Sequence, residues 1–417
     1  MVASLAAGIT PSRPVSESPV IALPSSPHKG ECLRILHVFR APVGGLFRHV
    51  LDLVRIQAAS GHQVGIVCDA NTGGERAARA LAELAPHLAL GCVRLPMQRN
   101  PHPSDLSVLL GVRERVRTTG ATILHGHGAK GGVFARLCPV PGASPIRAYT
   151  PHGGSYNYRP GSALHRVYMS IERLLARATD VFLFESEFVA TRHRTYAGGT
   201  VRLGRIVHNG IAESEFEPVG TVAAAFDLIY VGELREAKGL PFLFRALSRL
   251  RKEGRPLSLL MVGSGPDTES LTALADELGI RDAIAFEPPQ PIRPVLGRGR
   301  VMVIPSLAES LPYVVLEAAA ACQPMVATNV GGIPEIFGAF SGNLVPPRDV
   351  YALSTAIARI LDEPEDVRDG RAKALSDSIR ARFSMNRMGA DVLSGYAAAL
   401  QNRPSDRAVA ITGTARA

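Results

Sequence analysis

Residues 305–328, PSLAESLPYVVLEAAAACQPMVAT, decide the reading of this chain. The apolar run Val301–Ile304 ahead of them has the composition of a buried strand, and Pro305 stops it. Pro312 suits the first turn of a helix, Val314–Ala321 is helical in composition, and Pro324 ends it. Met325–Ala327 then reads as the next buried strand. Glu309 is thus expected just ahead of a helix, with Glu317 about one turn inside it, rotated by about 80° at 3.6 residues per turn. Two carboxylates so spaced can line one crevice at separated points. That suits hydroxyl recognition at two ends of an extended polar ligand, sugar at one end and ribose at the other; the close facing pair of glycoside hydrolysis is a different geometry. A carboxylate inside VVLEAAAA is costly unless paired or wet. The plainer alternatives are that Glu309 caps the helix and Glu317 pairs with a basic neighbour.

The same grammar of strand, turn and helix extends outward in both directions. Ile35–Phe39 is an apolar run followed by Gly44 and Gly45. Leu46, Val50, Leu53, Val54 and Gln57 then fall at helical spacing, Gly61 stops the helix, and Val64–Cys68 is apolar again, which makes one βαβ unit. It recurs as strand Asp227–Val231, a helix over Pro241–Lys252, the stop Gly254, strand Leu257–Val262, the turn Gly263-Ser264-Gly265-Pro266 and a helix near 268–278. Continuous apolar strands separated by helices predict parallel sheets covered on both faces. The expected fold is α/β, two doubly wound Rossmann-like domains facing an interdomain cleft, with ligands at the carboxyl ends of the strands. The expected boundaries are a disordered leader at 1–30, a first domain at 31–215, a second at 216–385, a helix at 386–401 returning to the first domain, and a flexible tail at 402–417.

Composition narrows the class. The 417 residues are 46% hydrophobic and 20% charged, enough apolar material for sizeable cores. No run of eighteen apolar residues predicts a spanning helix, and Val2–Ile9 lacks the charged flank of a secretory signal. Cys32, Cys68, Cys92, Cys138 and Cys322 are odd in number and form no CxxC, which predicts reduced thiols and a cytoplasmic protein. The net charge of +9 is compatible with nucleic acid, an anionic membrane surface or a phosphate-bearing substrate. Scattered arginines without a nucleic-acid motif argue against the first. Peripheral contact with the anionic inner face of a membrane and a plain solvated basic surface both stay open.

Smaller motifs point at the crevice. Gly44 and Gly45, between a strand and a helix, allow close backbone approach to an anion at a helix N-terminus. Lys238, with Arg235 nearby, sits between a strand and a helix where it can neutralise a diphosphate, and Gly263 and Gly265 repeat the glycine turn. GxGxxG and GxxxxGK[ST] are both absent. His125, His127 and His152 fall at the ends of predicted strands. HxH with no third ligand nearby argues against zinc.

Taken together and in order, these segments strongly resemble the retaining glycosyltransferase family 4 of GT-B fold, the glycosyl transferases group 1. The resemblance rests on the E-x7-E pair Glu309 and Glu317 and on ILHVFRAPVGGLFRHVLDLVRIQAASGHQVGIV, YTPHGG, ERLLARATDVFLFESE, IVHNGI, VGELREAKG, LLMVGSGP and SGNLVPPRD, and it covers about residues 33–360. It implies a metal-free, configuration-retaining transfer of a hexose from a nucleoside-diphosphate sugar to a saccharide or lipid-linked saccharide, with no cofactor. His152 would sit at the reaction centre and Glu309 would contact the sugar hydroxyls. Lys238 would bind the pyrophosphate, Glu317 the ribose, and Gly44 and Gly45 would lie by the sugar or its phosphate. The segment Ser310, Leu311, Tyr313 and Val314 would face the sugar and phosphate, and acceptor contacts would fall near 97–104 and 153–165. Two positions depart from the family: Glu233 stands where many members carry Arg, so Arg235 would have to substitute, and Pro312 replaces a frequent Gly, removing a backbone donor. A nucleotide-sugar epimerase of the same fold and a non-catalytic nucleotide-sugar-binding partner are the alternatives; the first would convert donor without acceptor, the second would bind without turnover.

Overall fold

The computed structural model describes residues 32–140, 144–220 and 226–402; the expected leader and all but the first residue of the expected tail lie outside them. Seven strands form the first sheet: β1 Arg34–Phe39, β2 Gln63–Asp69, β3 Cys92–Leu95, β4 Ile123–His127, β5 Ile146–Thr150, β6 Val181–Phe184 and β7 Gly204–Ile206. Five form the second: β8 Phe226–Val231, β9 Leu259–Val262, β10 Ile284–Glu287, β11 Gly299–Ile304 and β12 Met325–Ala327. Their orders are β3-β2-β1-β4-β5-β6-β7 and β10-β9-β8-β11-β12, with every pairing parallel. Each sheet therefore reverses its winding once, between β1 and β4 in the first and between β8 and β11 in the second. Such switch points are where α/β sheets leave a crevice.

Both faces of each sheet are buried. Along β8, Leu228 and Tyr230 pack with the helices Leu240–Lys252 and Val350–Asp362, while Ile229 on the other face packs with Tyr313–Ala320. From Leu33 onward the chain forms one compact unit. The helix Met385–Gln401 leaves the second sheet and lays Met388, Val392 and Tyr396 against Ile35, Ile123, Ile146 and Val181 of the first. Gly389 and Gly395 permit this, because a Cβ there would fall 2.4 Å from Ile56 and 2.7 Å from Leu183.

Observed boundaries differ from the sequence expectation by one or two residues. Strand β9 begins at Leu259 rather than Leu257, because Ser258 Oγ and N–H are both taken by the Asp227 carboxylate, at 3.0 and 2.9 Å. The helix after Glu309 is Tyr313–Ala320, so Glu309 belongs to the loop before it. The separation of the two glutamates is set by that loop rather than by helical rotation.

One buried ion pair anchors the segment after β5. Arg136 Nη1 donates to Glu172 Oε2 at 2.7 Å, with both side chains almost fully buried. Oε1 of the same carboxylate accepts from Ser155 Oγ at 2.9 Å and from Tyr149 OH at 3.1 Å. Removing one partner of a buried pair strands the other charge. Glu172→Ala should therefore lower the unfolding free energy in urea by about 3–5 kcal/mol; a loss under about 1 kcal/mol, as for an exposed pair, would contradict this role.

Candidate active site

The second-sheet wall of the site is built on backbone contact. Gly239, with φ of 65°, packs so closely that a Cβ would lie 2.1 Å from Pro305 O, which brings the turn after β8 against the end of β11. Lys238 Nζ consequently meets Glu309 Oε1 at 2.6 Å, and Ser306 Oγ donates to the same oxygen at 2.7 Å. Gly331 and Gly332 clamp the far side, where a Cβ would stand 1.9 Å from Glu309 O and 2.2 Å from Ser310 O. Gly263 and Gly265 are explained by the protein itself: a Cβ would lie 1.9 Å from Gly232 O and 2.2 Å from Leu234 O, so the two glycines let neighbouring loops touch. Arg235 pairs with Glu233 at 2.8 Å and is half-exposed. Leu311 and Tyr313 are buried, and Val314 is partly so.

On the first-sheet wall a set of imidazoles fills the switch point. Register pairs His37 with His125 and Phe39 with His127, and His49 and His152 complete the group. The rings are linked: His152 Nε2 to His127 Nδ1 at 3.1 Å, His127 Nε2 to His37 Nδ1 at 2.9 Å, and His37 Nε2 to Gln57 Oε1 at 2.8 Å. Gln57 Nε2 turns to Tyr396 OH at 3.5 Å, and that hydroxyl meets His125 Nδ1 at 2.7 Å. His125 Nε2 reaches Thr150 Oγ1 at 2.9 Å. Burial holds every ring well below the ordinary imidazole pKa, with His37 at about 4 and His49 at about 3. Mutual repulsion lowers His49, His125, His127 and His152 further. Neutral rings make the proton order readable. The Gln57 carbonyl can only accept, so His37 carries its proton on Nε2; His37 Nδ1 then accepts from His127, and His127 Nδ1 from His152. His152 is thereby left with an unprotonated Nδ1. The fold also supplies the third imidazole that no neighbouring sequence offered: His37, His125 and His127, or His49, His127 and His152, could each hold an ion. Within both trios, nitrogens already bond to one another.

The two walls meet along a polar seam. Arg48, on the helix Gly44–Ala59, donates to Glu317 and, at 2.5 Å, to Glu215 Oε2. Burial opposes its charge, but Glu317, Glu215 and Asp52 together hold the guanidinium above its usual pKa. Burial pushes the Glu317 carboxyl up, and Arg48 only partly offsets it. Asn209 Nδ2 donates to Leu311 O at 2.7 Å. A Cβ on Gly45 would stand 3.2 Å from the Tyr313 ring, and one on Gly153 would stand 3.0 Å from Ser310 Cβ. Gly44 has φ of 64° with open space beside its Cα. The helix that Gly44 and Gly45 open has no side-chain cap and no acidic residue in its first turn, so no carboxylate of its own offsets the amide dipole there. His152 lies at φ 51°, a left-handed conformation uncommon outside glycine.

Sequence reasoning missed Glu185. It follows β6, is fully buried, and accepts a hydrogen bond from Gly153 N–H while its Oε2 has no partner. Burial pushes its carboxyl up to about 7, tempered by backbone N–H groups and by Ser310 from the opposite wall. A buried Glu at a strand end in FLFESE was the available signal. His37, His49, Gln57 and Arg48 were missed as well.

Comparison with known proteins places this geometry. The model for glycosyltransferase family 4 matches residues 43–215, and that for glycosyl transferases group 1 matches 213–376. The chain is a group 1, family 4 glycosyltransferase of GT-B fold. This glycosyltransferase is 26% identical to glycogen synthase of Mycobacterium tuberculosis H37Rv over 385 residues, 86% of this chain and 92% of the relative. It is 31% identical to D-inositol 3-phosphate glycosyltransferase of Mycolicibacterium smegmatis over 216 residues, 47% and 48% of the two chains. Among solved structures it resembles sucrose-phosphate synthase of Thermosynechococcus elongatus, with a TM-score of 0.71 at 21% identity over 89% of this chain and all of that one. Anabaena HepE in complex with UDP gives 0.67 at 16% identity, over 88% of this chain and all of that one.

Two measurements check the imidazole cluster. Long-range nitrogen NMR at neutral pH should find His37, His127 and His152 neutral with the proton on Nε2, and Gln57→Met should scramble His37 and His127; protons on Nδ1 in the parent protein would contradict the assignment. Because folded pKa values lie below the 6.5 of a free imidazole, the unfolded chain binds more protons between pH 6.5 and about 4. Stability from these rings is present above pH 6.5 and is lost on acidification. Glu185 acts oppositely, favouring the folded state less as pH rises from 4.5 to about 7, but as one proton against several. The urea midpoint should therefore drop steeply from pH 6.5 to 4, and a flat profile would refute the burial of neutral rings.

Proposed function

We propose that this glycosyltransferase moves a hexose, with retention of configuration and without a metal ion, from a nucleoside-diphosphate sugar to a hydroxyl of a lipid-linked or growing saccharide. The observation that carries the reading is the Lys238–Glu309 pair at the β8/β11 switch point, one residue from Ser310, which packs on Gly153 beside His152. A departing diphosphate needs preorganised positive charge. Lys238 supplies it on release from Glu309, and Glu309 is then free to accept from sugar hydroxyls. Arg235 offers a second cation on leaving Glu233, and the helix Tyr313–Ala320 opens with no acidic residue in its first turn. Glu317 takes the ribose hydroxyls once Arg48 yields. The leaving phosphate can accept the proton of the acceptor hydroxyl on the same face, so no strong protein base is required. His152 contributes a lone pair on Nδ1 to a sugar hydroxyl. Closure of the two walls excludes water and limits hydrolysis. The UDP complex of HepE supports a nucleoside-diphosphate donor.

The test is a panel of UDP-, GDP- and ADP-sugars in EDTA with saccharide and lipid-linked acceptors. One donor should release nucleotide with the anomeric configuration kept; no binding and no release with any donor would overturn the reading. Lys238→Ala should lower kcat/KM by about 10²–10³-fold and His152→Ala should act chiefly on kcat. Full activity in both variants would reject the site.

A further inference from the structure

The helix Ala163–Ala176 carries an apolar stripe that no other described residue covers. Leu164, Val167, Ile171 and Leu174 are 48%, 55%, 39% and 62% exposed. They lie within an arc of about 80° over about 15 Å of helix. On the neighbouring face, His165, Met169, Glu172 and Leu175 turn inward. The exposed charge of this helix is all basic: Arg166 and Arg173, with Arg159 and Arg177 at its two ends, are exposed beside the small Ala163 and Ser170, and none of the four is ion-paired among the described residues. The helix's one carboxylate, Glu172, is buried and spent on Arg136. Tyr196, 42% exposed and edge-on to His165 at 4.9 Å, and Tyr158, 37% exposed and stacked on Tyr168, flank it with amphipathic rings.

From this surface we infer that the helix Ala163–Ala176 docks on an anionic lipid surface, with Leu164, Val167, Ile171 and Leu174 entering the headgroup boundary and the four arginines meeting lipid phosphates. Charge complementarity selects lipid over a second copy of the chain, since two such helices face to face would bring eight unpaired arginines together. An apolar stripe beside arginines and interfacial tyrosines is the pattern of a helix lying in the plane of a membrane surface. Among the described residues no helix is long and apolar enough to cross a membrane, so attachment through this helix would be peripheral. The docked helix is wired to the reaction centre. Glu172 on its buried side accepts from Ser155, three residues after His152. On the proposed function, a lipid-linked acceptor would thereby be presented beside His152; the docking itself requires no transfer chemistry.

Vesicle flotation of the full chain tests it without donor or acceptor. Binding should appear on phosphatidylglycerol-containing vesicles, be weak on pure phosphatidylcholine, and decline with salt. Leu164→Ser with Leu174→Ser, and separately Arg159→Gln with Arg166→Gln and Arg173→Gln, should each weaken it about tenfold or more, while UDP or GDP affinity stays at the parent value. Absence of vesicle binding, binding indifferent to lipid charge, or binding unchanged in both variants would overturn the inference. So would a dimer in sedimentation that the leucine variant dissociates. Lipid binding without any sugar transfer would fault the proposed function alone.

Discussion

A guanidinium at the centre of the polar seam ties the two walls of this molecule together, beside the Asn209–Leu311 hydrogen bond and the packed helix Met385–Gln401. Arg48 extends from the first-sheet helix beside Gly44 and Gly45 and serves Glu317 and Glu215 of the far side, with Asp52 beneath it. Three carboxylates around one cation leave a surplus of negative charge in a largely dry place. Such an arrangement persists only where each group is hydrogen-bonded. It brings Tyr313 under Arg48 at 4.7 Å and within 3.4 Å of His49, so the polar seam reaches the imidazole cluster directly. Glu335 extends the seam by capping the amides of Glu187 and Phe188 at 2.8 Å. Lys238, Glu309 and Glu317 are held by ion pairs of this kind, and Gly45 and Gly153 by close packing across the seam.

The chemistry of the cleft follows from a contrast between its walls. The first-sheet side is crowded with neutral rings whose proton order is fixed by Gln57, and it carries little net charge of its own. The second-sheet side has Lys238 at the end of one central strand and Glu309 at the end of the next. A diphosphate sugar would exchange that internal pair for two external ones, phosphate on lysine and hydroxyl on glutamate. Glu185, its carboxyl pushed by burial up to about 7, accepts from the Gly153 N–H, and Gly153 in turn packs on Ser310 of the opposite wall.

Much of the architecture was legible because it is periodic. Apolar strands with helices between them imply parallel sheets, and the glycine and proline stops put most helix ends within a residue or two. Lys238 and Glu309 were legible because they sit just past central strands, where any doubly wound sheet opens. What escaped was assembled from far-apart segments. His37 and His49 join His127 from far upstream, His37 across 90 residues, and nothing local in HVF or FRHV announces it. Arg48 and Gln57 look like ordinary helix positions until the second half of the chain arrives. Gly263 and Gly265 were legible as glycines, but the reason for them, loop against loop, needed coordinates. The use of Glu317 as an ion-pair partner was one of two open readings of VVLEAAAA, and the structure realises it across the seam.

A crystal structure with a nucleoside diphosphate bound is the most direct test of this site. A phosphate oxygen should lie on Lys238 Nζ, with Glu309 released from the lysine and the ribose hydroxyls on Glu317 with Arg48 turned aside. A nucleotide seated away from the seam, with the Lys238–Glu309 and Arg48–Glu317 pairs both intact, would contradict it.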